Sequence, residues 1–161
     1  MFKNLKFKIC TMIYLGADHR GYNLKEGIKK FLNQEKIKFK DLGNLEYDEN
    51  DDYPDFAAKV AEKVFSNPKK DKGVLICGTG IGTSIVANKF KAIRAGLCLS
   101  SYMAKRAVEE DDINILCLAA DITDLITAEK IIKVWLKASF SNKERYSRRI
   151  KKIQKIENLV F

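Results

Sequence analysis

The chain predicts an α/β fold: a five-stranded parallel sheet of order 2-1-3-4-5, sandwiched between helices and closed by a C-terminal helix. Two observations carry this. Short apolar runs alternate with helix-periodic runs from residue 12 onward. Strands separated by helices pair in parallel, beneath helices on both faces. The second observation is size: 161 residues, 46% hydrophobic and 32% charged, suit one domain with a real core. Two prolines and nine glycines leave little room for disordered linkers. No internal repeat and no linker divides the chain.

Residues 12–17 are apolar and read as the first strand. Residues 21–34 form an amphipathic helix with Leu24, Ile28, Phe31 and Leu32 on one side. The second strand, 37–42, is weaker because lysines alternate with apolar residues. An acidic loop (43–53) follows, and Pro54 opens a helix at its favoured first turn, running to about residue 65. Residues 74–77 are the third strand and 83–90 a helix. The fourth strand spans 93–99, its helix 100–110, and the fifth strand 113–119. Thr123 is expected to cap a helix over 124–138. A basic helix, 143–158, ends the chain. Residues 1–11 are basic but lack the apolar core of a secretory signal, so they read as an extension before a domain of residues 12–161. Met12 is an alternative start.

Several function classes fall away. No apolar run is long enough for a membrane helix. The cysteines are Cys10, Cys77, Cys98 and Cys117; none forms a C-x-x-C pair, and His19 is the sole histidine. That argues against zinc. Cys98 and Cys117 sit in apolar strands and read as inert core thiols, which suits a reducing, cytoplasmic compartment. The net charge of +9 raises the question of nucleic acid. The lysines, however, spread over most helices without interleaved aromatics, so they read as solvated faces.

In a doubly wound sheet, ligands bind at the carboxyl ends of the strands, where the order reverses between strands one and three. Strand three ends in Cys77-Gly78-Thr79-Gly80-Ile81-Gly82-Thr83-Ser84. A thiol stands where a strand stops and a helix begins. Glycines let the backbone approach a ligand closely, and free helix N–H groups favour negative charge. The run matches neither a Walker loop nor the dinucleotide fingerprint. It reads as a candidate base or nucleophile beside an anion site, or as a plain turn after a buried strand. Strand one ends in Asp18-His19-Arg20-Gly21, which would meet Cys77 at the same crevice. Asp18 is positioned to orient His19 or to contact a hydroxyl-bearing ligand. On the last helix, Arg145 and Arg149 share one face. They make either a phosphate clamp or a solvated basic face, with Ile150, Ile153, Ile156 and Val160 packed on the other side. Glu109, Glu110, Asp111 and Asp112 form an acidic cluster. Their mutual repulsion favours one protonated carboxyl, a candidate general acid, unless the cluster is only an exposed helix end.

Taken together, these pieces resemble the type B ribose-5-phosphate isomerase family, which includes galactose-6-phosphate isomerase subunits. The matching residues are Gly16 through Gly21, Asp52-Tyr53-Pro54, Cys77 through Gly82 with Ala87-Asn88-Lys89, Ile93-Arg94-Ala95 and Arg145 through Ile150, in the family's order. The resemblance implies a Rossmann-like sandwich, no metal or organic cofactor, and a homodimer sharing its active sites between subunits, with pairing into a dimer of dimers left open. It implies that Cys77 moves a proton between C1 and C2 of an open-chain sugar phosphate, with Thr79 assisting. The backbone N–H groups from Gly78 through Gly80, Ile81 and Gly82 to Ser84 would hold the enediolate, Asp18 would contact the substrate near the ring oxygen or hydroxyls, and Tyr53 would line the sugar pocket. His19, Arg145 and Arg149 would hold the phosphate. Three positions depart from the family. Glu110-Asp111 stands where a His-Asn pair is usual, Ala119-Ala120-Asp121 where Gly-x-Arg is usual, and Tyr146 where a histidine is frequent. Glu110 would then shuttle the ring-opening proton, Asp111 would touch the substrate, and Asp121 would weaken phosphate binding. The expected reaction interconverts ribose 5-phosphate and ribulose 5-phosphate. The alternatives are a hexose 6-phosphate isomerase and a non-catalytic sugar-phosphate binder.

Overall fold

Residues 12–159 are described by the computed structural model. The predicted extension and Val160 lie outside them. Five strands, β1 (Ile13–Ala17), β2 (Phe39–Asp41), β3 (Lys72–Cys77), β4 (Ala95–Leu97) and β5 (Ile115–Ala119), form one parallel sheet. Six helices accompany them: α1 (Tyr22–Gln34), α2 (Tyr53–Ser66), α3 (Ile81–Ala87), α4 (Ser101–Asp111), α5 (Leu125–Lys137) and α6 (Glu144–Glu157).

The strand order is β2-β1-β3-β5-β4, which corrects the expected 2-1-3-4-5. The reason is burial. β5 reads Ile-Leu-Cys-Leu-Ala and is buried at every position, so it belongs inside the sheet. β4 is three residues, Ala-Gly-Leu, all half-buried, which suits an edge. The Asn88 side chain occupies the outer edge of β4. Its amide donates to the Ala95 carbonyl and its carbonyl accepts from the Ala95 N–H, both at 2.9 Å. The reversal between β1 and β3 survives the correction, and with it the predicted crevice.

Strand alternation divides the core into two layers. Ile13 and Leu15 of β1, Val74 and Ile76 of β3, and Leu116 and Leu118 of β5 face α1, α4 and α5, where Ile28, Val108, Ile131 and Trp135 meet them. Leu75, Ile115 and Cys117 face α2, where Ala57, Val60 and Val64 pack. Two helix starts differ from expectation. α3 begins at Ile81, because Gly80 turns left-handed (φ 71°) directly before it. Asp124, not Thr123, caps α5 by accepting from the Thr127 N–H at 2.7 Å; Thr123 is buried instead.

The helix α6 lies across the amino ends of the strands. Tyr146 and Ile150 are its buried residues. Tyr146 reaches Glu110 at the end of α4, and Glu157 accepts from the Ala92 N–H ahead of β4. Ile153 and Ile156 remain exposed.

The start of α1 presses on β3. A Cβ on Gly21 would lie 2.5 Å from the Ile76 carbonyl oxygen, a backbone atom that cannot swing away. Gly21→Ala is therefore expected to cost about 1–3 kcal/mol, as overpacking does. Chemical denaturation will measure it; unchanged stability would show that the two segments separate freely.

Candidate active site

Strand β3 delivers Cys77 to the carboxyl edge of the sheet with its side chain almost fully buried. The left-handed turn at Gly80 folds the chain back, so the Gly80 N–H donates to the Cys77 sulfur at 3.1 Å. The Thr83 hydroxyl lies 3.7 Å from the same sulfur and donates to the Gly80 carbonyl at 3.1 Å. No other residue type fits at Gly80: besides its φ, a Cβ would sit 2.5 Å from Leu97 and 3.0 Å from the Leu118 carbonyl. The Ile81 N–H is turned to the Thr79 hydroxyl at 3.4 Å, and the Ser84 N–H to the Gly80 carbonyl at 3.3 Å. The Ser84 hydroxyl donates to the Ile81 carbonyl at 2.7 Å. Among the described residues, the N–H groups of Thr79, Gly82 and Thr83 have no protein acceptor. They are the donors the loop can offer an anion. Tyr53 closes one side, its ring so near that a Cβ on Gly82 would lie 2.6 Å from it.

Two further thiols, Cys98 and Cys117, are sealed in the core. Burial pushes Cys98 up to about 11 and raises Cys117 further, so both stay protonated at neutral pH.

The crevice's other wall is the turn after β1. Asp18 is buried and accepts from the Gly21 N–H at 3.0 Å. Burial raises its pKa, opposed by that N–H and by His19. Asp51, not Asp18, orients His19: one carboxylate oxygen takes the His19 backbone N–H and lies 2.8 Å from ring Nδ1. The hydrogen bond to Asp51 raises the imidazole pKa above its ordinary 6.5, against partial desolvation. Asn44 holds the other Asp51 oxygen. The fully buried Lys25 in turn donates to the Asn44 carbonyl at 2.7 Å and to Asp41 at 2.6 Å. Burial alone would raise Asp41, but hydrogen bonds from Lys25 and Lys29 outweigh it and hold the carboxyl below its usual range.

The basic helix and the acidic cluster stand elsewhere. Arg145 donates to the Tyr146 hydroxyl at 2.7 Å, which donates to Glu110 at 3.2 Å. Both Arg145 and Arg149 lie over the Tyr146 ring. Arg106 ion-pairs with Glu110 as well. The Asp111 pKa is raised, by desolvation first and the Glu110 charge second, with Arg149 and Arg94 opposing. All of these groups lie at the amino edge of the sheet. Cys77 lies at the carboxyl edge, one strand length away, about 17 Å along β3. A single copy of the chain therefore does not bring Arg145, Arg149, Glu110 or Asp111 to the sulfur. Asp121 does reach the crevice, and its charge is answered there by an ion pair with Arg20.

Asp51 and Arg106 carry no motif that marks them, and the glycine-rich run that contains Thr83 does not show that its hydroxyl meets the sulfur. Asp51 is 32 residues from His19, and Thr83 is visible only once the helix turn brings it over the sulfur. Among the described residues no group of three or more His, Cys, Asp and Glu side chains is arranged to hold a metal ion, and no helix is long and apolar enough to cross a membrane.

Because Asp51 raises the His19 pKa, the pairing stabilises the fold fully below about pH 6.5 and loses that contribution as pH rises through the raised value. Asp51→Asn is expected to move the His19 titration back toward 6.5, read by NMR of the ring protons. An unmoved titration would show that the bond does not form.

A model of the Ribose/Galactose Isomerase family matches residues 13–153. The probable ribose-5-phosphate isomerase B of Mycoplasma genitalium is 43% identical over 145 residues, covering 90% of this chain and 95% of that protein. A crystal structure of ribose-5-phosphate isomerase B from that organism with bound ribulose-5-phosphate superposes with a TM-score of 0.89 at 42% identity, covering 92% of this chain and 97% of that one. The Clostridium thermocellum ribose-5-phosphate isomerase B structure gives 0.86 at 46% identity, covering 91% and 97%. The matched span runs from β1 into α6 and takes in the whole sheet and the Cys77 loop, and this chain is a member of the ribose/galactose isomerase family.

Proposed function

We propose that the protein interconverts ribose 5-phosphate and ribulose 5-phosphate through an enediolate. The carrying observation is the Cys77 sulfur, fixed by the Gly80 N–H at 3.1 Å beneath a loop with unpaired donors. The Cys77 sulfur takes the proton from C2 of the open-chain aldose and returns it to C1. The Thr79 hydroxyl carries the hydroxyl proton from O2 to O1. The free N–H groups of the loop face the developing enediolate oxygen, and such preorganised donors are usually the largest catalytic contribution. Asp18 binds sugar hydroxyls, Tyr53 bounds the pocket, and the imidazolium of His19 attracts the phosphate.

The same reading requires a second copy. Arg145 and Arg149 are separated from their own Cys77 by the length of the sheet, so a phosphate clamp at that sulfur has to come from Arg145 of the partner subunit and Arg149 of the partner subunit. Glu110 and Asp111 would arrive on the same edge. Exposed apolar residues near the crevice, Ile81, Ile85, Leu99, Tyr102 and Met103, support such a homodimer. Tyr146 and Arg106 hold Glu110 in a fixed position, from which it would serve ring opening. The buried free thiols Cys77, Cys98 and Cys117 support a cytoplasmic setting.

Cys77→Ala is expected to abolish turnover of ribose 5-phosphate, while Cys98→Ala and Cys117→Ala retain it. A coupled assay of each variant decides, and activity surviving in Cys77→Ala would end the proposal. The breadth of the family model over ribose and galactose isomerases supports a hexose 6-phosphate as the second reading. Comparing kcat/KM on five- and six-carbon phosphates separates the two.

A further inference from the structure

The mechanism above leaves Arg20 without a task. It sits in the turn between β1 and α1, and its side chain crosses the end of β3 to reach Asp121, which follows β5. Since β3 lies between β1 and β5, Arg20 spans the floor of the crevice. Its guanidinium rests directly on Gly78. A Cβ there would lie 2.1 Å from Cζ, 2.3 Å from Nε and 2.6 Å from Nη1, so the glycine is what admits it. Gly78 is the residue next to Cys77. Asp121 is itself anchored, its N–H donating to the Gly78 carbonyl at 3.0 Å.

Two physical points give this arrangement a direction. First, both partners are well exposed, with side-chain exposures of 50% and 39%. Such a pair contributes little to stability, so scaffolding does not account for it. Second, Asp121 engages only Nη2. Among the described residues Nε and Nη1 have no acceptor, although they are the atoms lying on Gly78. A guanidinium with one edge tethered and donors unspent is preorganised for oxygen atoms of a ligand. The tether also keeps Asp121 from presenting a bare negative charge to a phosphorylated substrate.

We propose that Arg20 is a substrate-positioning residue, donating to oxygen atoms of the open-chain sugar phosphate beside the carbons that Cys77 serves. Asp121 is a positioning residue that acts through Arg20. The proposal rests on the isomerase reading and deepens it.

The test uses the full chain and four proteins: wild type, Arg20→Ala, Asp121→Asn and the double variant. Turnover of ribose 5-phosphate and the thermal shift it induces are measured for each. Arg20→Ala is expected to lower kcat/KM by about tenfold or more and to shrink the ligand-induced shift. Its ligand-free Tm should stay within about 2 °C of wild type, since an exposed pair is lost. Asp121→Asn should lose less, and should add nothing in the Arg20→Ala background. Arg20→Ala within about twofold of wild type overturns the proposal. Losses that multiply in the double variant overturn the part assigned to Asp121. If Arg20→Ala fails to fold, Arg20→Gln keeps the length without the charge and is judged by the same criteria. A wild type without turnover sinks the isomerase reading, and the thermal shifts alone then decide on Arg20. A wild type without turnover or shift overturns both.

Discussion

One backbone N–H organises the candidate site. The Gly80 donor points at the Cys77 sulfur because the chain turns left-handed at that residue, and Leu97 and the Leu118 carbonyl fill the space a side chain would need. The turn accomplishes several things at once. It stops β3 at the thiol, starts α3 one residue later, and leaves the N–H groups of Thr79, Gly82 and Thr83 without internal partners. A residue with a side chain at position 80 would disturb all three. The buried strands on either side of β3 supply the rigidity that holds sulfur and donors in register.

The second wall is held by charge rather than by hydrocarbon. Lys25 is fully buried, and such a group is tolerated only when its donors are answered. Asp41 and the Asn44 carbonyl answer them, Asn44 holds Asp51, and Asp51 holds His19. The imidazole at the crevice is thus the last member of a relay that begins inside the helical layer. Removing the Asn44 side chain would leave Lys25 its main-chain carbonyl and Asp41, but would free Asp51 and loosen the histidine.

Much of this was legible in the residues themselves. Periodicity located five strands and six helices, and the strand-end rule put Cys77 and the Asp18-His19 turn at one crevice. Lateral order was harder, because periodicity reports which face a residue occupies and not which strand lies beside it. The signal lay in composition: β5 is an unbroken apolar run, whereas β4 reads Ala-Gly-Leu and is better suited to an edge. The pairings across the chain were beyond reach. Nothing local ties Asp51 to His19, Asp121 to Arg20, or Tyr146 to Glu110, since each pair is brought together by the crossover of whole elements. Asp121 illustrates the cost. Read alone it is an anion where a cation would serve, yet in three dimensions it is neutralised.

The Asn88 side chain has a consequence for the molecule's company. By offering both an amide donor and a carbonyl acceptor to Ala95, it imitates one residue of a sixth strand and spends the backbone groups that an incoming peptide would need. The rim of the sheet is thereby capped like the end of a zipper. A strand from another chain would have to displace that amide before it could pair at the β4 edge.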